Sequence, residues 1–274
     1  MIRDITIGQY YPAESWIHKL DPRVKIVCTL FFLVSLFVQN SLLGYVIATV
    51  FLGTVIRMSK VPLKFILKGL KPIMILLMFT VVMNLFLTRG GETLVHFWIF
   101  TVTEGGLRTS IFMAVRLMYL VAGSSIMTFT TSPNGLTDGM EKLLHPLNKI
   151  NVPVHEVAMM MSIALRFIPI LLEETDKIMK AQIARGADFE SGNIIQRAKA
   201  MIPILVPLFV SAFRRANDLA MAMEARCYHG GEGRTKMKPL KYKKRDVTAY
   251  IVTLIYFAAI FVIGRYVPFK LWIF

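Results

Sequence analysis

The chain contains several apolar runs that approach the length of a membrane-spanning helix. About 20 apolar residues, each rising about 1.5 Å, are needed to cross about 30 Å of hydrocarbon. Hydrophobic residues make up 55% of the 274 positions, which is more than soluble domains usually carry. The sequence therefore indicates an integral membrane protein.

Five segments are candidate spans, and the first two are short. Their length leaves open either tilted helices or a re-entrant hairpin around residues 39–41. Two further helical patterns, reaching Gly186 and Tyr228, are long but carry too many charged residues to be expected in the membrane. The sequence predicts an all-α membrane protein with about five transmembrane helices and long cytoplasmic amphipathic helices. The candidate spans are residues 26–38, 42–56, 73–87, 107–129 and 247–263.

The distribution of Lys and Arg predicts the orientation. Most of the 32 basic residues fall in segments that share one side if the N-terminus is cytoplasmic, and cytoplasmic loops accumulate such residues. This predicts a multi-pass protein of a prokaryotic cell membrane with the C-terminus outside. The formal charge of +15 is explained by this bias and by lipid head groups, so no nucleic-acid partner is expected. The predicted parts are 1–130 with four spans, a cytoplasmic region 131–245, and 246–274 with the last span.

The predicted cytoplasmic region contains three amphipathic patterns. A short helix ends near Pro146, and the two long patterns follow it. Pro203 and Pro207 predict a kink or a broken first turn in the last of them. The region is therefore expected to form a helical assembly outside the bilayer.

Both long patterns end on Ala-Arg followed by a small residue. An Arg in a last helical turn lies favourably near unpaired carbonyls, and Gly suits the position just past the end, so either motif alone is typical of a helix cap. Two such ends on neighbouring helices favour a second role. The guanidinium group can make several charge-assisted hydrogen bonds in a polar groove of a partner. The motifs are Ala184, Arg185 and Gly186, and Ala225, Arg226 and Cys227.

Four stretches resemble the transmembrane (T) component of energy-coupling factor (ECF) transporters, a branch of the ABC transporters, in its stand-alone vitamin-importer group. They are "GQYYPAESWIHKLDPRVK", "SPNGLTDGMEKLLHPL", "ALRFIPILLEETDKIMKAQIARG" and "AMEARCYHGGEGRT". The resemblance implies that the two Ala-Arg motifs dock into grooves on two ATPase subunits. Cys227 departs from the glycine of the family motif, and we expect Gly230 or Gly231 to supply the chain reversal there.

The resemblance also implies a membrane-embedded substrate-binding (S) component held by this scaffold. ATP and Mg²⁺ would be bound by the partner ATPases, and no cofactor by this chain. Methionine adapts to differing shapes, which suits contact with the S component. Ordinary core filling remains the alternative for each one. The candidate contacts are Met159, Met160, Met161, Met201, Met221 and Met223.

Other functions find less support in the sequence. A self-sufficient channel or secondary carrier, the alternative reading, needs polar residues gathered at mid-membrane, and only Arg116 and Asn84 stand out. We expect Arg116 to face the helix bundle in a structural role. No catalytic residues and no metal-ligand spacing are recognisable, so the chain is predicted to be a non-catalytic subunit.

Overall fold

The computed structural model describes residues 10–39, 41–88, 93–97, 100–189, 193–231, 233, 235, 237 and 239–266. These residues form two compact units, which we treat separately. The first, the bundle, contains the helices from α1 to α5, a β-hairpin, the start of α6 up to Gly139, and α9. The second extends from Met140 to Pro239 and contains α7 and α8, the helix pair.

The bundle is built from helices, with one short hairpin between the fourth and the fifth. A 3₁₀ turn, Lys71–Ile73, joins α3 to α4. The two strands pair in antiparallel register with an irregularity between Thr93 and Val95. The elements are α1 (Pro22–Val38), α2 (Leu42–Ser59), α3 (Leu63–Leu70), α4 (Met74–Leu87), β1 (Thr93–Phe97), β2 (Phe100–Thr103), α5 (Glu104–Thr130), α6 (Pro133–Leu144) and α9 (Lys244–Tyr266).

All five predicted spans are helical, and the all-α membrane class is confirmed. By length and apolar composition, six helices among the described residues could cross a membrane, which the expected "about five" approximates. The set differs from the five candidates because α1 is shorter, with 17 residues, whereas α7 and α8 qualify despite their charged residues. The cytoplasmic placement of α7 and α8 therefore stays a prediction. The six are Leu42–Ser59, Leu63–Phe86, Glu104–Thr130, Val154–Ala184, Ile195–Glu224 and Lys244–Arg265.

A buried carboxylate joins the first residues of α1 and α9. Asp21 caps α1, since its side chain accepts the backbone N–H of Arg23 at 2.9 Å, and Pro22 occupies the first helical position. Asp246, 1% exposed, accepts the N–H of Asp21 at 2.9 Å and that of Lys243 at 2.7 Å. Burial raises the pKa of Asp21, but the hydrogen bonds from Arg23 outweigh burial and leave this pKa below its usual value.

An aromatic stack fills the middle of the bundle. The rings of Phe51 and Tyr256 are stacked with centroids 4.2 Å apart, and Phe32 contacts both of them. The Tyr256 hydroxyl lies 2.9 Å from Ser35 Oγ, which satisfies a buried polar group. Gly123 allows α5 to approach, because a Cβ there would lie 2.6 Å from the Phe32 ring. These contacts hold α1, α2, α5 and α9 together.

Two cations cap the antiparallel helices α1 and α5 reciprocally. Lys25 of α1 donates to the carbonyl of Thr130, the last residue of α5, at 2.7 Å. Arg116 of α5 donates to the carbonyl of Gln39, the residue that follows α1, at 3.1 Å, and to the Tyr45 hydroxyl at 3.2 Å. Cations favour the negative end of a helix dipole. Arg116 therefore has the structural, bundle-facing role that the sequence analysis expected.

The helix pair consists of α7 (Val154–Ala184) and α8 (Ile194–Glu224). A 3₁₀ segment, His145–Ile150, precedes α7 and follows the predicted end of the short helix. Pro203 and Pro207 lie inside α8, which is assigned as one continuous helix from Ile194. The predicted break in its first turn is therefore wrong. Among the described residues of the pair, only Val154, Ala158 and Ile204 are buried apolar side chains.

Candidate docking sites at the ends of two long helices

The first Ala-Arg motif forms the C-terminal cap of α7. The N–H of Ala187 donates to the carbonyl of Gln182 at 3.0 Å, and the N–H of Gly186 donates to that of Ile183 at 2.9 Å. This pair of bonds defines a Schellman motif, in which the residue after the cap adopts a left-handed conformation. Gly186 meets that demand with φ +86°. Arg185 is the cap residue, and its side chain is exposed.

The second motif repeats this geometry at the end of α8. The N–H of Tyr228 donates to the carbonyl of Met223 at 3.1 Å, and the N–H of Cys227 donates to that of Glu224 at 2.8 Å. Arg226 is therefore the cap residue, in the same place as the first arginine. Cys227 itself takes the left-handed conformation with φ 56°. The expectation that Gly230 or Gly231 supplies the reversal is wrong, because the hydrogen-bond pattern fixes the turn at residue 227.

The two caps lie at opposite ends of the helix pair. Glu174 of α7 accepts hydrogen bonds from Ser211 and Arg215 of α8, while Met159 lines the same cavity as Arg226. The helices thus run antiparallel, with the end of α8 beside the beginning of α7. At about 1.5 Å per residue, the stretch of α7 from Met159 to Arg185 is about 40 Å long. A single small groove could not accept both arginines.

The surroundings of the two arginines differ. Ala184, Arg185 and Gly186 are all exposed at the turn between α7 and α8. Arg226 borders an open cavity of about 510 Å³, whose apolar wall includes Met159, Ile163, Leu219 and Met223. The second cap therefore combines an exposed cation with an apolar recess, whereas the first is a projecting turn.

Comparison with known proteins assigns the chain to a family. The CbiQ family profile, described as "Cobalt transport protein", matches residues 13–237. A relative from Clostridium kluyveri, "Energy-coupling factor transporter transmembrane protein EcfT", is 60% identical over 256 residues, which cover 93% of this chain and 95% of that protein. The chain belongs to the CbiQ/EcfT family. The resemblance seen in the four sequence stretches is thereby confirmed.

Two further relatives carry the same EcfT description. The one from Ruminiclostridium cellulolyticum is 53% identical over 257 residues, covering 93% of this chain and 96% of its own. The one from Bacillus subtilis is 49% identical over 260 residues, covering 95% and 98%. The similarity extends over nearly the whole CbiQ/EcfT chain. It includes both units and both caps, and the protein is a transmembrane component of an ECF-type transporter.

The six candidate methionines of this CbiQ/EcfT chain divide into two sets. Met159 and Met223 face one another across the cavity between α7 and α8, so they belong to the packing of the helix pair. The other four are largely exposed and available to another protein or to lipid: Met160, Met161, Met201 and Met221.

Two features of the helix pair were missed by the sequence analysis. Glu174, placed there on a solvated face, instead binds Ser211 Oγ at 2.8 Å and the guanidinium of Arg215. The predicted apolar stripe of α8 is only partly packed. Phe209 and Phe213 of that stripe remain more than 60% exposed, with Ile202 and Val206 on the same side. Their spacing along the helix was the available signal, but not which helix faces which.

Proposed function

We propose that this chain is the scaffold that couples two partner ATPases to a membrane-embedded S component for uptake of a vitamin or another micronutrient. The ATPases bind ATP and Mg²⁺, and this chain transmits their movement without catalysis of its own. Its N-terminus and residues 131–245 lie on the cytoplasmic side. One observation carries the proposal: the same cap with an outward cap arginine is built twice, at opposite ends of one helix pair.

The chemistry of the caps suits docking. Each arginine projects from a fixed turn, so little backbone freedom is lost when it enters a partner's groove. A guanidinium group makes bidentate, charge-assisted hydrogen bonds with carboxylates and carbonyls. Because about 40 Å of helix separates the caps, they engage two separate surfaces, as two copies of an ATPase would offer.

The helix pair has the cross-links that a lever needs. The carboxylate of Glu174 holds Ser211 and Arg215 near the middle of the pair, and apolar residues pack on the side toward Arg226. Packed helices move as units, so a displacement of one cap shifts the other helix. ATP-driven closure of the partners would in this way change the angle between α7 and α8.

The exposed apolar side of α8 is the proposed contact with the S component. It presents large side chains that neither helix of the pair covers, including Phe209 and Phe213. The four exposed methionines add adaptable surface to the same pair of helices. Movement of this surface would reorient the S component and release its cargo.

The proposal is tested with charge reversal at the caps. We expect Arg185→Glu and Arg226→Glu each to impair ATP-driven uptake in cells, and the double variant to abolish it, because carboxylates would repel the acceptors in the grooves. Co-purification of the ATPases measures docking directly. Arg214→Glu is the matched control, since Arg214 is an exposed arginine of α8 away from both caps. All variants should insert into the membrane at normal levels.

Two results would overturn this function. Normal uptake and normal ATPase retention in the double variant would exclude docking through the caps. Solute transport by the chain reconstituted alone in vesicles would instead favour the self-sufficient channel or carrier. The engagement of Arg116 by a helix end and a tyrosine hydroxyl speaks against that alternative, because it occupies a charged side chain inside a predicted span.

A further inference from the structure

The bundle contains an apolar cavity of about 300 Å³, a volume at the lower end of the range of small-molecule sites. It lies between α1, α2, α5 and α9. Buried side chains form its floor, and exposed ones form its mouth. The floor includes Leu20, Val24, Phe32, Leu52, Ile126 and Ala249.

The polar groups around this cavity have their hydrogen bonds satisfied elsewhere. The hydroxyls of Thr54 and Thr248 donate to the carbonyls of Val50 and Lys244, one turn back in their own helices. The ammonium group of Lys25 donates to two backbone carbonyls, so the cavity wall receives only its surroundings and stem. A cavity without available polar partners does not hold water well. Its natural occupant is a hydrocarbon.

The mouth of the cavity continues into the lipid-exposed surface of a membrane protein. Met58 of α2 is 41% exposed and Val252 of α9 is 49% exposed, and both line the cavity. Trp16, at 38% exposure, borders it on the N-terminal side of α1, and tryptophan is favoured at membrane interfaces. Lipid tails therefore reach the opening directly, with a polar boundary close by.

We propose that this cavity binds an acyl chain of a membrane phospholipid. The chain enters between α2 and α9 and contacts Phe32 and Ile126, which the outer surface of the bundle does not expose. Its burial removes apolar surface of both lipid and protein from less well packed surroundings, and dispersion contacts favour it. The bound chain becomes a wedge between the helices that the aromatic stack joins.

The test uses the full-length chain in lipid nanodiscs with a phospholipid that carries a photoreactive diazirine in the middle of one acyl chain. After irradiation, peptide mass spectrometry locates the adducts. We expect adducts on Phe32 and on residues 126–127, besides those on the outer surface. Adducts confined to exposed residues would overturn the proposal.

Two plugs and two matched controls make the test specific. Thr248→Trp and Thr54→Trp place a large side chain at the mouth from α9 and from α2, and the adducts on Phe32 should be lost in both. Val247→Trp and Val50→Trp add the same side chain at exposed positions that do not line the cavity, and the adducts should persist. Persistence in both plugged variants would contradict the site. So would hydroxyl-radical oxidation of Met127 in the unplugged protein, which would show that water fills the cavity.

Discussion

The bundle and the helix pair are both made of long apolar helices, but they bury their apolar residues to very different extents. In the bundle, a continuous core joins four helices around Phe32, Phe51 and Tyr256. In the pair, few apolar side chains are buried within the described residues, and α8 leaves Phe209 and Phe213 open. Large exposed apolar surfaces indicate lipid or protein contact. The bundle is therefore the part that folds on itself, and the pair is the part that needs something else to complete it.

The ends of the helices differ in the same sense. The beginnings of α1 and α9 are satisfied within the bundle by Asp246, which is almost fully buried. The C-terminal ends of α7 and α8 are satisfied by local backbone turns, so their arginine side chains stay outside. Ends that are closed locally leave side chains available to partners. This contrast can be tested on the two regions with paired substitutions.

The largest effect is expected for the buried carboxylate. Asp246→Ala removes the acceptor of two backbone N–H groups, and hydrogen bonds to a charged group contribute about 1.5–3 kcal/mol each, so we expect a loss of about 3 kcal/mol. Thermal unfolding of the full chain in detergent measures it. Asp218→Ala, on the exposed surface of α8, should leave the unfolding temperature unchanged. Equal effects of the two variants would remove the distinction between the regions.

A smaller effect is expected from a methyl group in the bundle core. Gly123→Ala places a Cβ against the Phe32 ring, and such overpacking costs about 1–3 kcal/mol. Gly53→Ala is the matched control, because no atom lies within 4 Å of the added methyl. Alanine also favours the helix, so this control should be neutral or slightly stabilising. A harmless Gly123→Ala, measured by the same unfolding assay, would show that α1 and α5 are less closely packed than described.

The smallest effects should appear at the two caps, and in opposite directions. A left-handed conformation costs a residue other than glycine about 1–2 kcal/mol. Gly186→Ala should therefore weaken the end of α7, whereas Cys227→Gly should strengthen the end of α8. Hydrogen exchange of the amides of Ala187 and Tyr228 reports the local opening. Changes of the same sign would mean that the two turns do not share one geometry.

The spans, the long helices and the positions of both arginines could be predicted because they depend on local patterns. Apolar runs mark the helices, and Gly186 marks a helix end. Cys227 could not be predicted as a left-handed residue, because its own preference opposes that conformation and the surrounding hydrogen bonds impose it.

Contacts between distant residues were beyond the reach of pattern analysis. Asp21 and Asp246 are 225 positions apart, and nothing local marks them as neighbours. The pairing of Glu174 with Arg215 depends on the register of two antiparallel helices, which the sequence leaves open. The hairpin of β1 and β2 lies in what was treated only as a connection. Tertiary contacts decide these features, and local propensity does not.

The reciprocal capping of α1 and α5 has a consequence for how the bundle tolerates insertions. The same number of residues, roughly four turns, separates Lys25 from Gln39 and Arg116 from Thr130. The two helices are thus fastened to each other at two levels, like a bolt pair with matched spacing. Lengthening either helix between its fastening points would undo one bond while the other holds, whereas lengthening both by one full turn would keep both. Evolution can therefore change the height of this segment only in concerted steps.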